Sequence, residues 1–135
     1  MIANHQPTIF PPNVIVGLSS VDDGSMKDGI ELQTKSAVTN RSVFLQNLAM
    51  PVAQSATFYA SFEGDEYCRY VSATPGLLPA LDGVSTTRNK QPIMVPLADC
   101  TGAVLYDPVR HVLMVSHLGR HSTEQFVLEK VLNIW

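Results

Sequence analysis

The stretch from Ile93 to Arg120 most constrains what this chain can fold into: three short apolar runs, Ile93–Leu97, Ala103–Tyr106 and Val112–Val115, are separated by Asp99-Cys100-Thr101-Gly102 and by Asp107-Pro108-Val109-Arg110. Apolar runs of this length bounded by turn formers read as strands. Asp opening a turn bonds its own backbone, and Pro at the next position presets φ for a type I turn. The spacing therefore predicts a hairpin that folds Ala103–Tyr106 against Val112–Val115. If Asp107 faces Arg110, Cys100 lies opposite His117. Opposed residues have Cβ atoms roughly 5 Å apart, and zinc takes sulfur at about 2.3 Å and imidazole nitrogen at about 2.0 Å, so one ion fits the pair. A turn lengthened by one residue makes the two diagonal neighbours, still within reach. Taken singly, Cys100 reads as a small buried hydrophobe and His117 as a capping or hydrogen-bonding group. Their shared position in the hairpin is what points to a metal.

The remaining chain reads as alternating short elements. Residues 1–13 carry Pro7, Pro11 and Pro12 and are expected to form an extended arm, followed by a β-branched run, Val14–Leu18, of strand length. Asp22, Asp23 and Asp28 lack the alternating oxygen ligands of a calcium loop. From Ser36 to Leu48 apolar residues recur at helical spacing, with Pro51 soon after. Arg41 lies in this helix and reads first as a surface cation, second as a phosphate contact. Residues 52–60 and Tyr67–Ser72 are strand-like, with Phe62–Glu66 as the turn between them and Cys68 as packing. Asp82–Pro92 reads as a polar connector. At the far end, Ser122 and Gln125 have capping-box spacing ahead of Leu128, Val131, Leu132 and Trp135, an apolar helical face.

Composition narrows the function classes. One domain is expected at 135 residues, and 45% hydrophobic content suffices for a core. With 16% charged residues and a net charge of −3, there is no electrostatic footprint for nucleic acid or an anionic membrane. The start lacks a basic segment followed by an apolar one, and no run is long enough to span a bilayer. Cys68 and Cys100 are too few for a disulfide framework, so thiols in a reducing cytoplasm are expected. The apolar Trp135 and Phe10 suit a homodimer.

Leu97-Ala98-Asp99-Cys100 after an apolar run, the Tyr106-Asp107-Pro108 hairpin, and Ser116-His117-Leu118-Gly119-Arg120 leading into a helix together resemble the bacterial laccase-domain proteins. These were first called multicopper polyphenol oxidases and are now regarded as purine nucleoside phosphorylases with adenosine deaminase side activity. Weaker matches are Leu18-Ser19-Ser20, Asn40-Arg41 and Asp82. The resemblance implies an α/β fold, a mixed sheet flanked by helices, truncated so that residues 14–135 match the first half of the family domain. It implies one zinc held by a Cys and two His. Cys100 and His117 match two of these ligands, and Glu63, in Ser61-Phe62-Glu63-Gly64, stands where the family has its other His. A carboxylate ligates zinc at about 2.0 to 2.2 Å. The Trp-Arg of the family's glycine motif is replaced by Arg120-His121, and Ser19-Ser20 is followed by Val21-Asp22, without the usual Arg.

On this resemblance the expected function is zinc-dependent phosphorolysis of purine nucleosides, with deamination of adenosine as a second activity. Arg120, Gly119 and Arg41 would hold phosphate, and Asp99 or His121 would act as general base. Copper is the poorer choice, because a type 1 copper site needs a His, Cys, His, Met constellation that these spacings do not supply. The rival expectation is a non-catalytic scaffold or binding module of the same family. A third, carried by the resemblance for some relatives, is a peptidoglycan-editing hydrolase.

Overall fold

The computed structural model describes residues 9–60, 69–78 and 80–125 together with Glu129 and Asn133. Glu63, Cys68, the turn at residues 62–66 and the apolar face ending in Trp135 lie outside the described residues. The chain divides into two compact units, Met1–Val52 and Ala53–Trp135.

The first unit is built on helix α1 (Lys35–Asn47). Thr34 caps it, its hydroxyl accepting from the Ala37 N–H at 3.3 Å. At the other end the amide of Ala49 bonds the Gln46 carbonyl and that of Met50 the Leu45 carbonyl, with Ala49 in the left-handed region at φ 56°. This is a Schellman ending, so the helix is closed by its own last turn before Pro51 is reached. Ala37, Arg41, Phe44 and Leu45 form its buried face. The expected strand at residues 14–18 pairs with no described strand. Its β-branched side chains find no ladder, and Gly17 instead lies against Phe44 and Leu48, so close that a Cβ there would sit 2.7 Å from Leu48 Cδ1.

Arg41 is not a surface cation: it is only 7% exposed. Its guanidinium donates to the Met26 carbonyl at 2.6 Å and to the Leu32 carbonyl, tying the loop before α1 to the helix. Burial lowers its pKa from the usual arginine value. Arg41→Met keeps the aliphatic stem but strips both donors. It is expected to lower the unfolding free energy by about 2 kcal/mol, read as a lower midpoint in urea, because two carbonyls lose a charged partner.

The second unit holds two sheets. One is parallel, in the order β3 (Gly76–Leu78), β1 (Ala56–Phe58), β5 (Ile93–Met94). The central β1 is buried along its length, as suits a parallel strand covered on both faces. The other is mixed, in the order β2 (Tyr70–Ser72), β4 (Gly83–Thr86), β7 (Val112–Leu118), β6 (Thr101–Asp107), with β2 parallel to β4 and the other pairs antiparallel. Ala56 and Phe58 of β1, Val84 of β4 and Val115 of β7 meet in one core with Ala73 and Leu81. Side chains alternate along a strand, so Met114 points the other way and packs with Tyr70, Leu105 and Leu118. This is a mixed α/β architecture with two sheets and few helices.

Asp82–Pro92 is not simply a polar surface connector, since Gly83–Thr86 is an inner strand whose Val84 is fully buried. Gly83 permits this packing: a Cβ there would lie 2.5 Å from the Tyr70 ring. The hairpin exists, but its register differs. Asp107 pairs with Val112, leaving a four-residue loop, because His111 adopts φ 53° and extends the Pro-based turn. Asp107 Oδ1 accepts the amides of Val109 (2.8 Å) and Arg110 (2.9 Å), and the Arg110 bond is the leading reason its carboxyl sits below the ordinary aspartate pKa.

Helix α2 (Arg120–Glu124) starts two residues before the expected cap, Ser122. Gly119 takes the N-cap position, and Ser122 is the residue whose hydroxyl reaches back to it, accepting from the Gly119 N–H at 2.8 Å.

Candidate metal centre

Three neighbouring strands bring the candidate ligands to one end of the mixed sheet. Gly83 pairs with Ser116, so Asp82, immediately before β4, stands opposite His117, and the His117 N–H donates to the Asp82 carbonyl at 2.7 Å. On the other side His117 pairs with Gly102, and Thr101 pairs with Leu118. Continuing that register, Cys100 falls beside Gly119 and diagonal to His117. The hairpin has shifted by two residues from the direct Cys100–His117 pairing, which keeps both side chains on the same face. The expectation that a one-residue shift would also leave them within reach is corrected, because a slip of one turns one of the two to the opposite face.

Gly119 shows how near they come. A Cβ built on it would lie 2.7 Å from His117 Cε1, 3.2 Å from His117 Nε2 and 3.6 Å from Cys100 Sγ. Imidazole nitrogen and sulfur thus converge on a space kept open by the absence of one methyl group. Behind the ring, His117 Nδ1 faces Asp82 Oδ1 at 3.5 Å, with His117 7% and Asp82 1% exposed. This donor set suits zinc: a thiol, and an imidazole whose Nδ1 edge faces a carboxylate while Nε2 faces outward. Among the described residues no group of three or more His, Cys, Asp or Glu side chains is placed to hold a metal ion. Glu63, the expected third ligand, lies outside those residues.

The other expected site residues fall around this cradle. Asp99 is exposed, and its Oδ1 lies 3.7 Å from the Cys100 thiol. Arg120 and His121 are exposed on the turn after Gly119, with Arg120 Nη2 3.4 Å from His121 Nε2 and His121 Nδ1 3.8 Å from Glu124 Oε2. Gly119 itself is clamped: its carbonyl accepts from Ser122 Oγ at 3.0 Å and Thr123 Oγ1 at 2.8 Å. Arg41 belongs to the other unit, bound to the two loop carbonyls described above. Asp82 was legible only as a connector residue and a weak match to the family, and Ser122 only as a cap. The one local signal for Asp82 is a lone carboxylate between Leu81 and Gly83-Val84, where apolar neighbours indicate burial.

A profile of the family described as multi-copper polyphenol oxidoreductase laccase matches residues 21–135. The chain belongs to this laccase family. No curated protein matches it. Among solved structures the laccase-family chain is similar to the hypothetical protein YfiH of Bacillus licheniformis, at 22% identity and a TM-score of 0.66 over 82% of this chain and 45% of that one. It is also similar to YlmD of Geobacillus stearothermophilus, at 18% identity and a TM-score of 0.65 over 82% and 44%. A third, from Neisseria meningitidis, gives 18% identity and a TM-score of 0.60 over the same shares. These likenesses support the laccase-domain fold, and the chain spans less than half the length of each of these structures. No helix among the described residues is long and apolar enough to cross a membrane.

Proposed function

We propose that this chain carries the zinc-binding part of a laccase-domain enzyme that phosphorolyses purine nucleosides, with adenosine deamination as a second activity. The observation that carries the reading is the cradle at Gly119, on which Cys100 Sγ and His117 Nε2 converge. Cys100 and His117 would hold the ion, with Glu63 as third ligand. Zinc, when bound, would supply Lewis acidity at the end of the sheet.

The chain's own residues would do the rest. Arg120, exposed beside Gly119, supplies a fixed positive charge for phosphate, and the glycine lets the anion approach the backbone. In phosphorolysis a phosphate oxygen forms a bond to C1′ of the ribose as the C1′–N9 bond breaks, giving ribose 1-phosphate and the free base. The leaving nitrogen needs a proton. Asp99 and His121 flank the cradle and are the candidates to move it. Two cysteines and the absence of a disulfide framework favour the cytoplasm as the setting.

The test is elemental analysis of the purified protein followed by assay of inosine and adenosine with phosphate. Stoichiometric zinc, lost in Cys100→Ala and in His117→Ala, with phosphate-dependent release of base, is the expected result. A metal-free protein would overturn it. Zinc retained without turnover selects a second reading, a binding scaffold, which Arg120-His121 in place of the family's Trp-Arg favours.

A further inference from the structure

Asp82 is a carboxylate buried to 1% exposure, and removing such a group from water costs several kcal/mol unless its surroundings hold it in place. Its backbone is fixed from both sides. The Asp82 N–H donates to the Arg69 carbonyl at 3.0 Å, and the Asp82 carbonyl accepts from the His117 N–H at 2.7 Å and from Ser116 Oγ at 3.1 Å. Tyr70 fills the space beside Gly83, the next residue. The Asp82 main chain is therefore pinned between β2 and β7, and Oδ1 is aimed at the Nδ1 edge of His117.

We propose that Asp82 is a positioning residue for His117: its carboxylate holds the ring as the Nδ1–H tautomer, so that the Nε2 lone pair points toward Gly119 and Cys100. The proposal rests on the zinc reading above and deepens it. The 3.5 Å separation closes to a hydrogen bond with a movement of about 0.5 Å. Ligating histidines gain orientation and basicity from such an outer carboxylate, and its loss typically weakens metal binding about 10- to 100-fold. Asp82 touches neither the ion nor a substrate. It acts only through the imidazole, the ring its carboxylate faces.

The test compares the full chain with Asp82→Asn in two ways. Zinc affinity is measured by competition with a chromophoric chelator, and the His117 tautomer by nitrogen-15 NMR of the metal-free protein. Expected are an Nδ1–H tautomer in the parent chain, its loss in the variant, and zinc binding weakened about 10- to 100-fold. With cobalt in place of zinc, the variant should keep the thiolate charge-transfer band from Cys100, because that ligand is untouched. Equal zinc affinity with an unchanged tautomer would overturn the proposal and leave the metal reading standing. A parent chain that binds no zinc would sink the metal reading alone, since the metal-free tautomer still decides the role of Asp82. Should Asp82→Asn fail to fold, an Nε2–H tautomer in the parent chain would overturn the proposal by itself.

Discussion

Gly119→Ala is expected to lower zinc affinity by at least about 100-fold, or about 2.7 kcal/mol. The backbone there has φ −96° and ψ 175°, which any residue adopts, so the substitution adds no main-chain strain. The cost is steric. The new methyl would stand 2.7 Å from His117 Cε1 and 3.2 Å from Nε2, inside the space where the ligand atoms converge. Neither side can retreat. His117 is buried with its amide bonded to Asp82, and Gly119 is held by its N–H to Ser122 Oγ at 2.8 Å and by two hydroxyls on its carbonyl. Gly17→Ala is the control, because its clash is with the flexible end of Leu48, and it should leave zinc binding unchanged. Wild-type affinity in Gly119→Ala, measured by chelator competition, would show that the ion does not bind at this cradle.

The elements legible in the sequence are those that local rules determine. Asp107-Pro108 sets a turn and the 3.6-residue period selects the helix, so each could be placed within a residue or two. β4 could not. It has four residues with Val84 as its only large apolar side chain, and its identity as a strand comes from Tyr70 on one side and Ser116 on the other. The β-branched residues 14–18 err in the opposite direction: they carry strand propensity but have no partner strand among the described residues, and β-propensity largely measures packing against neighbours. For the site, the nearness of Cys100 to His117 was readable because the hairpin is local. Its register was not, since the left-handed His111 is no glycine and gives no warning of a longer loop. The Asp82 contact with His117 spans thirty-five positions and exists only once β4 lies beside β7.

Phe58→Ala should cost about 3–5 kcal/mol of unfolding free energy, with a fall in Tm of roughly 10–20 °C. Phe58 is fully buried at the end of β1, the central strand of the parallel sheet, and shares its core with residues of β4 and β7 in the mixed sheet. Its buried companions, Ala56, Ala73, Leu81, Val84 and Val115, are alanines and branched aliphatics on paired strands or adjoining turns, so they cannot swing in to fill the space a phenyl ring leaves. Phe58→Leu, which keeps most of the volume, should lose only about 1 kcal/mol. Calorimetry on both variants decides between a packed core and a loose one: equal, small losses would mean that the two sheets are not held together through Phe58. The effect should also reach the metal centre. Val84 and Val115 each lie two residues from Asp82 and His117 on the same strand faces, so a cavity beside them loosens the backbone that sets the distance between carboxylate and imidazole. Zinc should therefore bind more weakly to Phe58→Ala than to Phe58→Leu, even though neither substitution touches a ligand.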